Sequence, residues 1–302
     1  LIRIGTRGSQ LALWQANHIA SALRARAIDV SIEIIKTTGD RMQDVTFANV
    51  GTKGMFTKEI EEALLGRRID LAVHSLKDLP TELAPQFTIG AVPERADASD
   101  AFVSVEYSSF FDLPSGAKVG SSSPRRQTQL RRLRPDLEYV EFRGNVDTRL
   151  HKLHDRHAQA IILASSGLDR LGRTEWIRER FDPNHLCPAA GQGALAIECR
   201  SDDLRTHEAI AFLEDPDTRF AVTAERVALS ALGGGCQVPI GMYCRPDSEE
   251  FTLTGVVESL DGLSHVRASM PGNDPFELGE SLAAVLLQSG AEAILSSGHR
   301  ES

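Results

Sequence analysis

The sequence predicts an α/β fold in two successive units, followed by a small α+β unit. Three observations carry that expectation. Segments with strand and helix spacing alternate over residues 2–73, the alternation stops at the polar run 93–100 (PERADASD), and it restarts at Ala101. Beyond Asp217 a long helical pattern is followed by three strand-like segments and a last helix. A chain of 302 residues is about twice a typical domain, so more than one core is expected.

The elements follow in order. Residues 2–5 read as a strand and 10–26 as an amphipathic helix, with Leu11, Trp14, Ile19 and Leu23 as its core positions. Residues 28–36 alternate like a strand. The stretch 37–54 is a loop, long enough to suspect a mobile lid. Helical spacing returns at 55–67, and 69–73 is a compact buried strand, so the first unit is expected to hold a parallel sheet. After the linker come strands at 101–105, 118–120, 139–142 and 160–164, with helices at 124–133 and 146–154. Residues 183–193 are irregular, and 194–199 form a strand that could join either sheet. The helix 217–232 carries Thr218, Ala221, Glu225, Ala228 and Leu232 on one stripe and stops at Gly233-Gly234-Gly235. Strands at 238–243, 251–257 and 265–269 and a helix at 276–288 complete the chain. No internal repeat is visible.

Composition narrows the function classes. With 33 Lys+Arg, 42 Asp+Glu and 41% hydrophobic residues the chain is neither disordered nor collagen-like. Its longest apolar run, 282–287, is far short of the roughly 20 residues that cross a bilayer, and residues 1–30 lack the apolar stretch of a signal peptide. A cytoplasmic protein is expected. Cys187, Cys199, Cys236 and Cys244 show no CxxC and no Cys/His ladder, so neither a disulfide framework nor a metal site has support. Within a net charge of −9, the segment 118–156 holds ten basic and five acidic residues. Arg dominates the bases, and its planar fork suits carboxylate or phosphate. An anionic ligand is the natural partner of such a focused field.

Four clusters could carry chemistry. Thr6-Arg7-Gly8-Ser9 is a strand-to-helix turn where backbone N–H groups favour an anion, although Ser9 also reads as a plain N-cap. His74-Ser75-Leu76-Lys77-Asp78-Leu79-Pro80 follows a buried strand, the end of an open sheet at which ligands bind. A Ser/His/Asp hydrolase is disfavoured there, because three triad members within five residues rarely reach one another. Ser121-Ser122-Ser123-Pro124-Arg125-Arg126, with Arg143-Gly144-Asn145 and Arg149, groups hydroxyls, a helix start and guanidinium groups. Nucleic acid is a weaker fit, since only Tyr139 and Phe142 in this segment could stack on bases. Last, Gly233-Gly234-Gly235-Cys236-Gln237-Val238-Pro239 strips the bulk from the backbone before one thiol.

Glu225-Arg226 followed by Gly234-Gly235-Cys236-Gln237-Val238-Pro239-Ile240-Gly241 resembles the cofactor-attachment signature of the porphobilinogen deaminases, or hydroxymethylbilane synthases. The resemblance spans essentially the whole chain, through Thr6-Arg7-Gly8-Ser9, Gly51-Thr52-Lys53-Gly54, the His74 to Pro80 run, Ser122-Ser123-Pro124-Arg125-Arg126, Arg143-Gly144-Asn145 and Gly191-Gln192-Gly193-Ala194. Thr52 stands where Gly is common and Pro124 where Leu is common. It implies two lobes resembling type II periplasmic binding proteins and a small C-terminal α+β domain, at 1–93 with 194–213, 99–190 and 217–302.

The activity it implies is the condensation of four porphobilinogen molecules, each losing ammonia, into the linear tetrapyrrole hydroxymethylbilane for haem biosynthesis. Growth starts on a dipyrromethane cofactor held by a thioether to Cys236. The resemblance gives Lys53, Ser75, Lys77, Ser123, Arg125, Arg126 and Arg143 to the cofactor, and Arg7, Ser9, Arg143 and Arg149 to the substrate. Asp78 is the catalytic carboxylate it implies, stabilising cations on the pyrroles and assisting proton transfer. Arg125 and Arg126, beside Ser123, suggest a fixed platform whose loss should stall one step without unfolding the protein. A monomer is expected, without nucleic-acid or membrane partners. The competing class, a non-enzymatic two-lobed protein binding an anion, explains the arginines but gives no reason for Gly234-Gly235-Cys236.

Overall fold

A computed structural model describes residues 1–37, 57–234 and 238–298. The chain divides into two compact units, Leu1–Arg95 with Ala194–Thr218, and Ala96–Gly193 with Arg219–Ser302. In the first, β1 (Ile2–Thr6), α1 (Gln10–Ala25), β2 (Val30–Ile34), α2 (Lys58–Leu65) and β3 (Leu71–Ser75) follow the expected alternation. Then come β4 (Phe87–Ala91), which the sequence reading missed, and, in the second unit, β5 (Asp100–Val103), β6 (Lys118–Gly120), α3 (Pro124–Leu133), β7 (Glu138–Val140), α4 (Val146–His154) and β8 (Ala160–Ala164). A short helix α5 (Ser165–Arg170) and an edge strand β9 (Ile177–Arg180) were also missed. The return to the first unit is β10 (Leu195–Arg200) and α6 (Leu204–Ile210).

The first sheet has the order β2-β1-β3-β10-β4 and is mixed, not parallel as expected. β1 runs parallel to β2 and β3, whereas β10 is antiparallel to β3 and β4. The second sheet repeats the pattern as β7-β6-β8-β5-β9, with β5 antiparallel to both neighbours. In each sheet the reversed strand is the one that follows directly on a chain crossing between units. No helical crossover precedes it, so nothing forces it parallel. This repeat is topological, which is why no sequence repeat announces it.

Helix α1 covers the first sheet with Ala16, Ile19, Ala20 and Leu23, packed with Ile4, Leu71, Val73 and Ile197. That i, i+3, i+4, i+7 stripe keeps two of the expected positions, Ile19 and Leu23. Leu11 and Trp14 are only half-buried, and Trp14 stacks on His18 with ring centroids 5.0 Å apart. Pro124 sits in the first turn of α3, where its missing N–H costs nothing.

The two crossings meet in the second unit. Gly193 has φ +88°, and a Cβ there would lie 2.4 Å from the Ala96 carbonyl oxygen. Gly193→Ala combines left-handed strain with a backbone clash and should cost about 2–3 kcal/mol. Urea unfolding should show this; a loss below about 0.5 kcal/mol would mean that the crossing relaxes freely.

After α7 (Pro216–Ala231), the strands β11 (Ile240–Asp247), β12 (Glu250–Glu258) and β13 (His265–Gly272) form an antiparallel sheet in that order, covered by α8 (Pro275–Leu286). The expected stripe of α7 is buried throughout, at Thr218, Ala221, Glu225, Ala228 and Leu232. Glu225 accepts hydrogen bonds from Gly191 N and Cys244 N, both 2.7 Å, and so ties this sheet to the segment before Gly193. Arg132 of α3 adds a pair with Glu258 at 3.0 Å. The run Pro275–Ser296 has the length and mean hydropathy, 1.2, of a membrane span. Its Leu278, Leu282, Ala283 and Leu286 are buried in the core with Leu253 and Val257 of β12.

Candidate active site

Parallel pairing brings distant segments to one edge of the first sheet. Ile4 of β1 is in register with Leu71 of β3, so Arg7 and Ser9 emerge beside Ser75, Lys77 and Asp78. β3 ends two residues later than expected: His74 and Ser75 still belong to the strand, and only Leu76–Asp78 turn away from it, as a 3-10 turn. Antiparallel β10 fixes that turn, because Leu76 N donates to Ala194 O at 3.0 Å.

Neighbours hold this edge from below. Gln15 Nε2 of α1 donates to Ser75 Oγ at 2.7 Å. His74 Nε2 lies 2.8 Å from Glu198 Oε2, both buried. Neither Gln15 nor Glu198 was expected to matter. The available signal was Glu198 itself, a charge inside the apolar run of β10, where an unpaired carboxylate would be costly. Ser9 caps α1, accepting from Ala12 N at 3.3 Å, so the plainer reading of that residue holds for its hydroxyl. Asp78 is exposed, and among the described residues no hydrogen bond reaches its carboxylate.

The second unit has the same construction. β6 is parallel to β7 and β8, placing Ser121–Ser123 and Glu141–Asn145 on one edge. Ser122 Oγ accepts from Phe142 N at 3.0 Å and joins these two loops. Ser121 Oγ accepts from Ser123 N at 3.2 Å, and Ser123 sits at the N-cap of α3 without using its own hydroxyl as the cap. Asn145 caps α4 through Thr148 N at 2.8 Å, positioning Arg149 on the first turn. Arg143 Nε donates to the exposed Glu141 at 2.7 Å, and its carbonyl oxygen accepts from Lys152 Nζ at 3.1 Å.

Arg125 and Arg126 are held by a carboxylate of their own unit. Both are buried against Asp100, the first residue of β5: Arg125 Nη1 is 2.7 Å from Oδ2 and Arg126 Nε 2.8 Å from Oδ1. Gln192 Nε2 donates to the same Oδ1 at 2.9 Å. Burial alone would raise the Asp100 pKa, but the attraction of Arg125 and Arg126 and hydrogen bonds from Arg125 and Gln192 outweigh it. The carboxyl is held well below the usual carboxylate range. The sequence reading placed Asp100 in a polar linker and assigned it nothing.

Cys187, Cys199 and Cys244 are buried and form no disulfide among the described residues. Burial pushes the Cys187 thiol up to about 12 and the Cys199 thiol to about 11, so neither is a nucleophile near neutral pH. Lys53, the expected lid and Cys236 lie outside the described residues.

The family model described as porphobilinogen deaminase, dipyromethane cofactor binding domain, matches residues 2–208, and the one described as the porphobilinogen deaminase C-terminal domain matches 219–288. The chain belongs to the porphobilinogen deaminase family. Among its relatives, the porphobilinogen deaminase of Pelobacter propionicus is 51% identical over 97% of this chain and 96% of its own. That of Trichlorobacter lovleyi is 49% identical, covering 97% and 95%. The Syntrophobacter fumaroxidans enzyme is 47% identical over 99% and 98%. Solved structures give fainter likenesses: the methionine-binding protein MetQ, TM-score 0.46 and 12% identity over 74% of this chain and 94% of that one, and a nutrient-binding protein from Burkholderia cenocepacia, TM-score 0.43 and 11% identity over 72% and 93%. As a family member the chain is a transferase that converts porphobilinogen to hydroxymethylbilane, with a dipyrromethane cofactor.

Proposed function

We propose that Asp78 is the carboxylate that carries the condensation chemistry. The supporting observation is its setting: exposed at the end of β3 on a turn anchored by β10, with no hydrogen bond to its carboxylate among the described residues. Loss of ammonia from the aminomethyl group of porphobilinogen leaves a cationic azafulvene. A carboxylate accepting the pyrrole N–H at Oδ1 or Oδ2 stabilises that cation, and the same oxygen takes up the proton released after carbon–carbon bond formation. The dipyrromethane, when bound, supplies the nucleophilic pyrrole carbon on which growth begins.

The residues present suit that group. Its carboxylates call for cations and hydroxyls, and the second sheet edge offers Arg143 and the Ser123 hydroxyl, which does not cap its helix. We assign Lys53, Ser75, Lys77, Ser123 and Arg143 to the cofactor, Cys236 to its attachment, and Arg7, Ser9, Arg143 and Arg149 to incoming substrate. Arg125 and Arg126 are assigned to the cofactor as well, and their pairing with Asp100 also holds the start of α3 and hence Ser123 in place. The functional division is three modules, 1–93 with 194–213, 99–190 and 217–302, in a cytoplasmic monomer.

Intact mass tests the assignment of the thiol. Wild-type protein should carry one adduct, located on Cys236 by peptide mapping and turning pink with acidic Ehrlich reagent. Cys236→Ser should lose adduct and activity together. Active wild type of unmodified mass would refute it.

A further inference from the structure

The opposite edge of the first sheet, at the start of β3, holds a cavity of about 200 Å³ lined by Arg3, Arg67, Asp70, Arg200, Asp203 and Arg205. β3 separates it from Ser75 by roughly 17 Å at about 3.3 Å per residue. Four guanidinium groups and two carboxylates line it, and with Asp202 paired to Arg67 at the rim a small excess of positive charge remains. The carboxylates are already committed. Asp70 accepts from Arg3 N, Nε and Nη2 at 2.8, 3.0 and 2.7 Å. Asp203 accepts from Thr206 N at 3.2 Å and pairs with Arg200 Nη2.

Arg200 is the informative group. It is 5% exposed, and its Nη1 donates to Leu64 O and Ile69 O, both 2.8 Å. Its Nε is buried and meets no acceptor among the described residues. A buried charged donor left unmade is costly, and water would satisfy the N–H while leaving the excess charge uncompensated. Arg67 and Arg205 lie at the exposed rim: Arg67 pairs only loosely with exposed Asp202 at 3.7 Å, and Arg205 donates to Leu1 O at 3.2 Å.

We infer that this cavity binds a small oxyanion of the phosphate type, held by the guanidinium groups of Arg200, Arg67 and Arg205 that line it. Forked guanidinium groups match its oxygens, and its negative charge meets the excess. The site lies at the sheet edge away from Asp78 and plays no part in the condensation.

Titration calorimetry of the holoenzyme with inorganic phosphate tests this. Saturable binding with a dissociation constant at or below about 1 mM is expected. Arg67→Gln with Arg205→Gln should weaken it about tenfold and leave turnover unchanged, since both residues are exposed and remote from the chemistry. Arg7→Leu with Arg149→Leu should leave phosphate binding intact. Absence of saturable binding overturns the inference. So does loss of binding in the Arg7/Arg149 variant instead of the Arg67/Arg205 one, or succinate binding more tightly than phosphate.

Discussion

Asp78→Asn is expected to lower turnover about 10²–10⁴-fold while leaving the fold intact. The substitution keeps size and removes the charge, so it deletes both cation stabilisation and proton uptake, effects of that magnitude in other enzymes. Because Asp78 is exposed and receives no hydrogen bond among the described residues, its replacement should change stability by no more than about 0.5 kcal/mol. Single-turnover rates with porphobilinogen and a urea unfolding curve measure the two quantities separately. Turnover within about threefold of wild type, only about 0.7 kcal/mol in barrier, would remove Asp78 from the chemistry.

The second large effect is on stability. Arg125→Leu, or Asp100→Asn, should cost about 3–5 kcal/mol, because each leaves a buried partner without its counter-charge. This revises what the sequence suggested, that Arg125 or Arg126 could be replaced without harm to folding. Arg143→Leu is the contrast: its pair with Glu141 is solvent-exposed, so stability should change by less than about 1 kcal/mol while elongation suffers. Acid adds a sign. The Asp100 carboxyl titrates lower folded than unfolded, so its contribution is complete above the unfolded value of about 3.9 and is lost as pH falls below that toward the folded value. Wild-type stability should therefore drop more steeply below about pH 4 than that of Asp100→Asn. Equal urea midpoints for Arg125→Leu and Arg143→Leu would show that the buried cluster contributes nothing special. Native mass spectrometry with substrate then shows which pyrrole-bearing species each variant accumulates.

What the sequence determined by itself is local. The stripe of α7 at Thr218, Ala221, Glu225, Ala228 and Leu232 repeats with helical period, and all five are buried. Pro124 and Asn145 mark the starts of α3 and α4 through backbone chemistry that needs no partner elsewhere. Within each motif run the residues are adjacent in the chain, so the family, its activity and its cofactor could be read before any fold was known.

Tertiary structure alone decided which groups pair across the chain. Asp100 and Arg125 are 25 positions apart, and His74 and Glu198 are 124 apart. Nothing in the intervening sequence says that β5 and β10 insert antiparallel into their sheets, because a strand's pattern of apolar residues is the same in either direction. Once that direction is set, Asp100 lies under two arginines and Glu198 under His74, where a buried polar group finds its partner. The same sheet pairing gathers Arg3, Asp70 and Arg200 around the cavity away from Asp78. Residue type told which side chains could bind an anion, and strand direction told which of them were already spoken for.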